Sequence, residues 1–580
     1  MEVVNSGPPP SKIKNAMKPC FKVGKNEDVT CRPIANFHPS LWGDYFITNP
    51  SLSSIHEEQY EWMKQRTTEL IKLVKGQLKD ARGSLEKMEL IDALQRPGVA
   101  YHFDVEINEE LNLIRRNDAS SDTDDDLHTV ALRFRLLRQH NCYMPSDIFN
   151  RFMNDESKFK EEVSNDLEGM LSLYEAAYLG IPGENKLDEA IDFTRSHLQS
   201  LVKHVEPRLA RKIEHTLETP LRRRMNRLNA RLYISIYEED SEKRNDDLLE
   251  LAKLDFHILQ LLHREEVKEM SIWWNDLGFT TKHTHTFIRD RIVEGYFWIL
   301  GVYFEPQYSK ARMMMVKVIT ILSVMDDAYD SYGTLRELQL FTLAIQRWEL
   351  KEEDELDENL QLVFMAICNT MKELEDEAVK DGKLYRLDYL KRELKKAAML
   401  WTEEAKWREE GYMPCSLAEH LDLSAKTTAY HVLAYASLLG IEEVTRETLE
   451  WVTSFPPIMK DLGTMSRLMD DAADSEFEAK RAHVVTAISC CMKVYGDTWE
   501  EAKLRILGMV EDAWKNMNSE CLHLSNTIPS YVLDRFVNLA CMMETVYRTS
   551  DAYTESMPLK KPISLLLVEP IDHSFTVEKI

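Results

Sequence analysis

Residues 319–330 read ITILSVMDDAYD. Seven uncharged, mostly apolar residues run directly into Asp326, Asp327 and Asp330. The pattern predicts a helix buried along much of its length that ends in acid. On it Asp326 and Asp330 stand one turn apart on one face, with Asp327 about 100° round. Like charges at that spacing destabilise an isolated helix, and burying them without a cation costs far more. A compensating positive charge is implied, and oxygen-only donors suit hard divalent ions such as Mg2+ or Mn2+. The alternative is a solvated acidic face, as in EEDELDE at 352–358, which sits among polar residues.

A second acidic run, RLMDDAADSEFE, spans 467–478. Asp470, Asp474 and Glu478 are spaced i, i+4, i+8, and each step of four drifts only about 40° on a helix. They are expected to form one stripe, with Asp471 beside it and Arg467 a turn earlier. Two acidic stripes with nearby arginines fit metals clamping a polyanion, and a diphosphate leaving group matches that chemistry. Arg289-Asp290-Arg291 supplies further cations. Residues i and i+2 point about 200° apart on a helix, so both arginines converge only from a loop or a frayed helix start. Guanidinium groups bind phosphate oxygens bidentately, although a surface ion pair with Asp290 is the plainer reading.

Outward from these runs the chain reads as helix after helix. Segments 57–76, 161–179, 188–204 and 248–270 carry apolar residues near the 3.6-residue period. Breakers are local, at Pro97-Gly98, Pro182-Gly183 and Pro456-Pro457. There are 19 glycines in 580 residues, well under the usual ~7%, which argues against sheet-rich folds. The expectation is an all-α protein of two helical domains. Residues 1–31 are read as a mobile tail, 32–246 as an N-terminal domain and 247–580 as a metal-binding catalytic domain. The boundary is set at the charged stretch EEDSEKRNDD, 238–247.

The net charge of −26 argues against a nucleic-acid partner, which normally needs a basic face. No apolar run reaches the ~18–20 residues a membrane span requires. Nine cysteines without C-x-x-C spacing read as reduced thiols, and the N-terminus lacks the apolar core of a secretory signal. The cytoplasm is the expected compartment. The Gly-rich phosphate loops, H-E-x-x-H and G-x-S-x-G are absent, which weakens nucleotide, zinc-protease and serine-hydrolase readings. His283 and His285 form an H-x-H pair with no third ligand nearby in sequence, so a polar loop is favoured over a metal site.

Taken together and in this order, the motifs resemble the plant terpene synthase family, specifically its sesquiterpene synthases. Arg32-Pro33 followed after eight residues by Trp42 is similar to the family's N-terminal arginine–tryptophan motif. LIDALQRPGVAYHF at 90–103 and LHTVALRFRLLRQH at 127–140 resemble typical N-domain stretches. The resemblance implies a C-terminal domain with the class I terpenoid synthase fold and an N-terminal α-barrel-like domain without activity of its own. Asp326 and Asp330 would bind two Mg2+ ions with Asp327 in support, and Asp470, Asp474 and Glu478 would bind a third. Arg289, Arg291 and Arg467 would bind diphosphate. Trp298 and Tyr553 would line the pocket, with Asp551 beside Tyr553. The implied activity is Mg2+-dependent ionisation of farnesyl diphosphate and cyclisation by a monomeric enzyme.

Two features depart from the family's pattern. Asp474 stands where Ser or Thr is usual, which adds negative charge at the third metal site. DTDD at 122–125 fits the D-x-D-D acid motif of protonation-initiated cyclases, but it sits in a Ser/Asp-rich loop. Two rival readings share parts of the pattern: a chain-elongating prenyltransferase, and a non-enzymatic helical scaffold.

Overall fold

Apolar periodicity becomes helix almost everywhere it was read. The computed structural model describes residues 37–49, 57–117, 126–240, 243–279, 287–351, 354–473 and 485–571. Among the described residues there is no β-strand, only a single bridge between Met153 and Phe159. The all-α expectation holds. Helix α1, Glu57–Asp80, buries Met63, Thr67, Leu70, Val74 and Leu78, steps of three and four that make one apolar face. The stretch 161–179 is not one helix. A 3-10 turn, Glu161–Asn165, precedes α2, Leu167–Ala177. Asp166 breaks the run because its carboxylate accepts from Gly169 N at 2.8 Å as the cap of α2.

Helix α3, Asp246–Asp276, begins at Asn245, whose side chain accepts from Leu248 N at 3.1 Å. The charged stretch read as a boundary falls between α3 and the preceding helix, Asn226–Glu238. Contacts across this point are extensive. Arg66 of α1 grips Glu250 through two bonds of 2.7 and 2.8 Å. Asn518 Nδ2 donates to the carbonyls of Tyr178 and Gly180, both at 3.0 Å. Buried apolar residues from Phe46 to Ile571 form one continuous core.

Helix α4, Ile292–Val302, is buried at every position. Helix α5, Ser309–Ser331, carries the acidic run at its C-terminal end. An ion-pair cluster fixes α3, α4 and α5 to one another: Arg312 donates to both oxygens of Glu266 at 2.6 and 2.7 Å, and Tyr296 Oη donates to the same carboxylate at 2.6 Å. Arg312 is completely buried, so loss of either partner would strand a charge. Gly440 lies against the start of α5, where a Cβ would come within 2.4 Å of Ala311 Cα.

Four further helices complete the surroundings of the acids: α6, Tyr385–Glu410, α7, Leu417–Thr427, α8, Tyr430–Ala436, and α9, Pro457–Ala473. Helix α9 starts on proline, whose missing N–H is no loss at a first turn. Gly463 lets α9 press against α7, since a Cβ there would meet Ala425 O at 2.4 Å. Helices α10, Ala487–Tyr495, and α11, Ser530–Val546, follow. No helix of the described residues is long and apolar enough to cross a membrane.

Candidate active site

One cavity is lined by Asp326 of α5 and Asp470 of α9, together with Arg289, Arg467, Trp298 and Tyr553. Residues 144 positions apart thus face a common space, as the two-stripe reading requires. Ser323, Trp401, Tyr430 and Tyr547 complete much of its wall.

On α5 the three acids divide as helical geometry dictates. The Asp326 side chain keeps 43% of its surface, turned to the cavity. It accepts from Arg289 Nη2 at 2.7 Å. Burial by the surrounding protein pushes its carboxyl up and Asp330 adds to this, while Arg289 and Arg467 oppose it. Asp327 is 1% exposed and points inward. It accepts from the Arg289 backbone N at 2.7 Å and lies 2.7 Å from Arg289 Nε. Burial pushes Asp327 up to about 7 against the pull of Arg289. Asp330 is exposed and is not among the residues that line the cavity; Arg408 Nη1 donates to its carboxylate at 3.0 Å.

On α9 the pattern recurs. Asp470 keeps 36% of its side-chain surface and Asp471 keeps 3%. Arg467 Nη1 reaches both, at 3.3 and 3.4 Å. Asp471 also accepts from the backbone N of Ala487, the first residue of α10. Each stripe therefore presents one aspartate to the cavity and buries its neighbour against an arginine. Asp474 and Glu478 lie outside the described residues, as do Arg32, His283, His285 and Asp122–Asp125.

The apolar wall is aromatic. Trp298 meets Tyr553 and Tyr547 edge-on, at 5.5 and 5.9 Å between ring centres. Tyr553 also lies 5.4 Å from the Arg289 guanidinium. Between α7 and α8 the backbone turns at Ala429, φ +58°, a left-handed conformation that strains a residue with a Cβ. Thr427, Thr428 and Ala429 line the cavity at this turn.

With this geometry in view, comparison with known proteins is decisive. Residues 41–217 match the family model "Terpene synthase, N-terminal domain", and residues 275–516 match "Terpene synthase family, metal binding domain". The chain belongs to the terpene synthase family. It is 42% identical over 543 residues to a (−)-germacrene D synthase of Vitis vinifera, covering 93% of this chain and 96% of that protein. It is 43% identical over 551 residues to a sesquiterpene synthase of Cananga odorata, covering 94% and 96%. Among solved structures it is similar to isoprene synthase from grey poplar in complex with three Mg2+ ions and dimethylallyl-S-thiolodiphosphate. That match has a TM-score of 0.82 at 30% identity and covers 92% of this chain and 99% of that one.

Not every expected residue of this terpene synthase reaches the cavity. Arg291 does not. It is 2% exposed, it is not among the residues that line the cavity, and its donors are taken by backbone carbonyls. Both arginines lie in the loop before α4, so leaving the helix is not enough to make them converge: Arg291 is held by the carbonyls of His38, Asp290, Tyr553 and Thr554 while Arg289 reaches the α5 acids. Asp551 is also absent from the cavity wall. Its carboxylate instead accepts from the backbone N of Tyr553 and Thr554, at 3.0 and 3.1 Å, and shapes the turn that carries Tyr553.

The residues present suit divalent cations. Carboxylate oxygens from two helices face one cavity, and burial holds Asp326 above its ordinary range, a cost that a cation would offset. The one group of three close metal-ligating residues among the described residues is Glu89, His128 and Glu168, far along the chain in the N-terminal domain. There the Lys243 ammonium contacts both glutamates.

Sequence reading missed Glu404 and Arg408 of α6. Glu404 accepts from Thr427 Oγ1 at 3.1 Å. Burial pushes it up to about 7, with Asp330 and Asp326 adding and Arg467 opposing. In the sequence Glu404 is one acid in a charged run, TEEAKWREE. Its only signal is the helical phase it shares with Trp401.

Proposed function

We propose that this terpene synthase is a class I sesquiterpene synthase that ionises farnesyl diphosphate and cyclises the resulting cation. The observation that carries this reading is Asp326 and Asp470, each beside an arginine, on the wall of one aromatic cavity. The proposed metal set is Asp326 and Asp330, supported by Asp327, together with Asp470, Asp474 and Glu478. Mg2+ is the favoured ion, with Mn2+ as the substitute. When bound, such cations supply Lewis-acid neutralisation of the departing diphosphate.

Arg289 and Arg467 would orient the same diphosphate oxygens and hold their charge in place. The allylic C–O bond then breaks and its electron pair leaves with the diphosphate. Ring closure would follow by attack of a distal double bond on the cation, and transfer of a proton to the released diphosphate would end the sequence. The faces of Trp298, Tyr547 and Tyr553 would stabilise positive charge as it migrates. Their bulk also excludes water from the cation.

Incubation of the purified protein with farnesyl diphosphate and MgCl2, read by gas chromatography and mass spectrometry, tests the reading. Cyclic C15 products that depend on the metal support it. Longer prenyl diphosphates, formed with added isopentenyl diphosphate, would favour chain elongation instead. We further place the enzyme in the cytosol as a monomer. The unpaired state of all seven cysteines among the described residues supports a reducing compartment. A fluorescent fusion and light scattering check the two points.

A further inference from the structure

We propose that Arg291 is a positioning residue that clasps two distant chain segments over the cavity and keeps water from the cation. The inference rests on the cyclase reading above, but its geometry does not. Arg291 Nε donates to Tyr553 O at 3.1 Å, and Nη2 donates to Thr554 O at 2.9 Å. Nη1 donates to His38 O at 3.0 Å and to Asp290 O at 2.8 Å. One buried guanidinium therefore joins the start of α4, the segment at 37–38 and the turn at 551–554. Among the described residues it forms no ion pair; Asp290 and Glu294 act on its charge through space, and of the four carbonyls that accept from it three are in reach only when the two segments are seated. A buried charge left without such partners is strongly unfavourable. Seating of the two segments is thus coupled through one side chain.

The clasp bears directly on the cavity. Tyr553, whose carbonyl Arg291 holds, lines the cavity and packs edge-on against Trp298. Arg289 works the opposite side of the same turn, donating to Thr554 Oγ1 at 2.9 Å, with the ring of Phe37 5.3 Å away. The first arginine of the pair faces the reaction and the second holds the cover. If the clasp loosens, water reaches the cation. A C–O bond then forms between water and the cationic carbon, and the extra proton passes to the released diphosphate or to bulk water. The product is an alcohol, and nothing is oxidised or reduced.

The test compares the wild type with Arg291→Lys, Arg291→Gln and Arg467→Lys, using farnesyl diphosphate and Mg2+ in H2(18)O. In the Arg291 variants the share of 18O-labelled alcohols should rise several-fold, while inhibition by inorganic diphosphate stays within about twofold of wild type. In Arg467→Lys that inhibition should weaken by about tenfold or more. Arg291 variants that lose diphosphate inhibition as Arg467→Lys does, with an unchanged alcohol share, would overturn the clasp. A wild-type measurement guards against misfolded variants. Amide exchange at residues 38–42 and 551–556 should occur at one common rate, whereas independent rates contradict the coupling. Failure of the wild type to cyclise any substrate would count against the enzymatic reading alone, because the exchange experiment still decides the clasp.

Discussion

The acidic ends of α5 and α9 solve one problem in two ways. Each shows an aspartate to the cavity and buries the next one against an arginine. On α9 that arginine is local: Arg467 precedes Asp471 by one turn of the same helix, at 3.4 Å. On α5 it is distant in sequence: Arg289 comes from the loop before α4 and meets Asp327 through both its backbone N and its guanidinium. The α9 pair can form as soon as the helix does. The α5 pair forms only when the loop before α4 docks on α5. The comparison teaches that the second aspartate of each pair is buried against an arginine, while the first faces the cavity.

The largest effect should come from removing the cavity-facing acid. Asp326→Ala is expected to lower kcat by about 10²–10³-fold, the scale of losing one preorganised charge-stabilising group. Circular dichroism should stay unchanged, and an unaltered kcat and Mg2+ dependence would refute the assignment. Asp470→Ala should act in the same direction.

Next comes the buried member of each pair. Asp327→Ala strands the Arg289 loop and should destabilise the fold by about 3–5 kcal/mol, typical of breaking a buried ion pair. Asp471→Ala should cost less in urea denaturation, because Arg467 keeps Asp470. Equal losses would erase the distinction between a tertiary pair and a local one.

Trp298→Leu removes a π face without touching either stripe. It should shift the product mixture or lower turnover while leaving diphosphate inhibition intact. Identical products and kinetics would argue against its place in the pocket.

The smallest effect is a pH dependence centred on Glu404, which sits between the stripes. Its folded value is raised from 4.5 to about 7. The folded state therefore binds the proton more tightly than the unfolded chain between those values, and stability falls as pH rises from 4.5 to 7. In metal-free protein Tm should decline across this window, and less so in Glu404→Gln. Parallel curves for the two proteins would show that Glu404 does not titrate there.

Much of this was legible in the sequence. An apolar run ending in DDAYD, a second acidic run and pervasive helical periodicity led to two helical domains and to the paired aspartates. What could not be read was direction. Asp326 and Asp327 are chemically identical neighbours, and only the packing of α4 decides which one is buried. The same holds for Arg289 and Arg291, where a two-residue offset sends one to the cavity and the other to a cage of carbonyls. Glu404 was hidden because its surroundings in sequence are all charged, and burial comes from helices remote along the chain. The break at Asp166 was missed because a capping carboxylate inside an apolar run looks like any other surface acid.

The most direct test of the account is diffraction from crystals grown with Mn2+ and a non-ionisable thiolo analogue of farnesyl diphosphate. Anomalous signal should place Mn2+ at Asp326 and at Asp470, both touching one diphosphate. Manganese at only one stripe, or a diphosphate bound away from the Arg289–Arg467 pair, would contradict it.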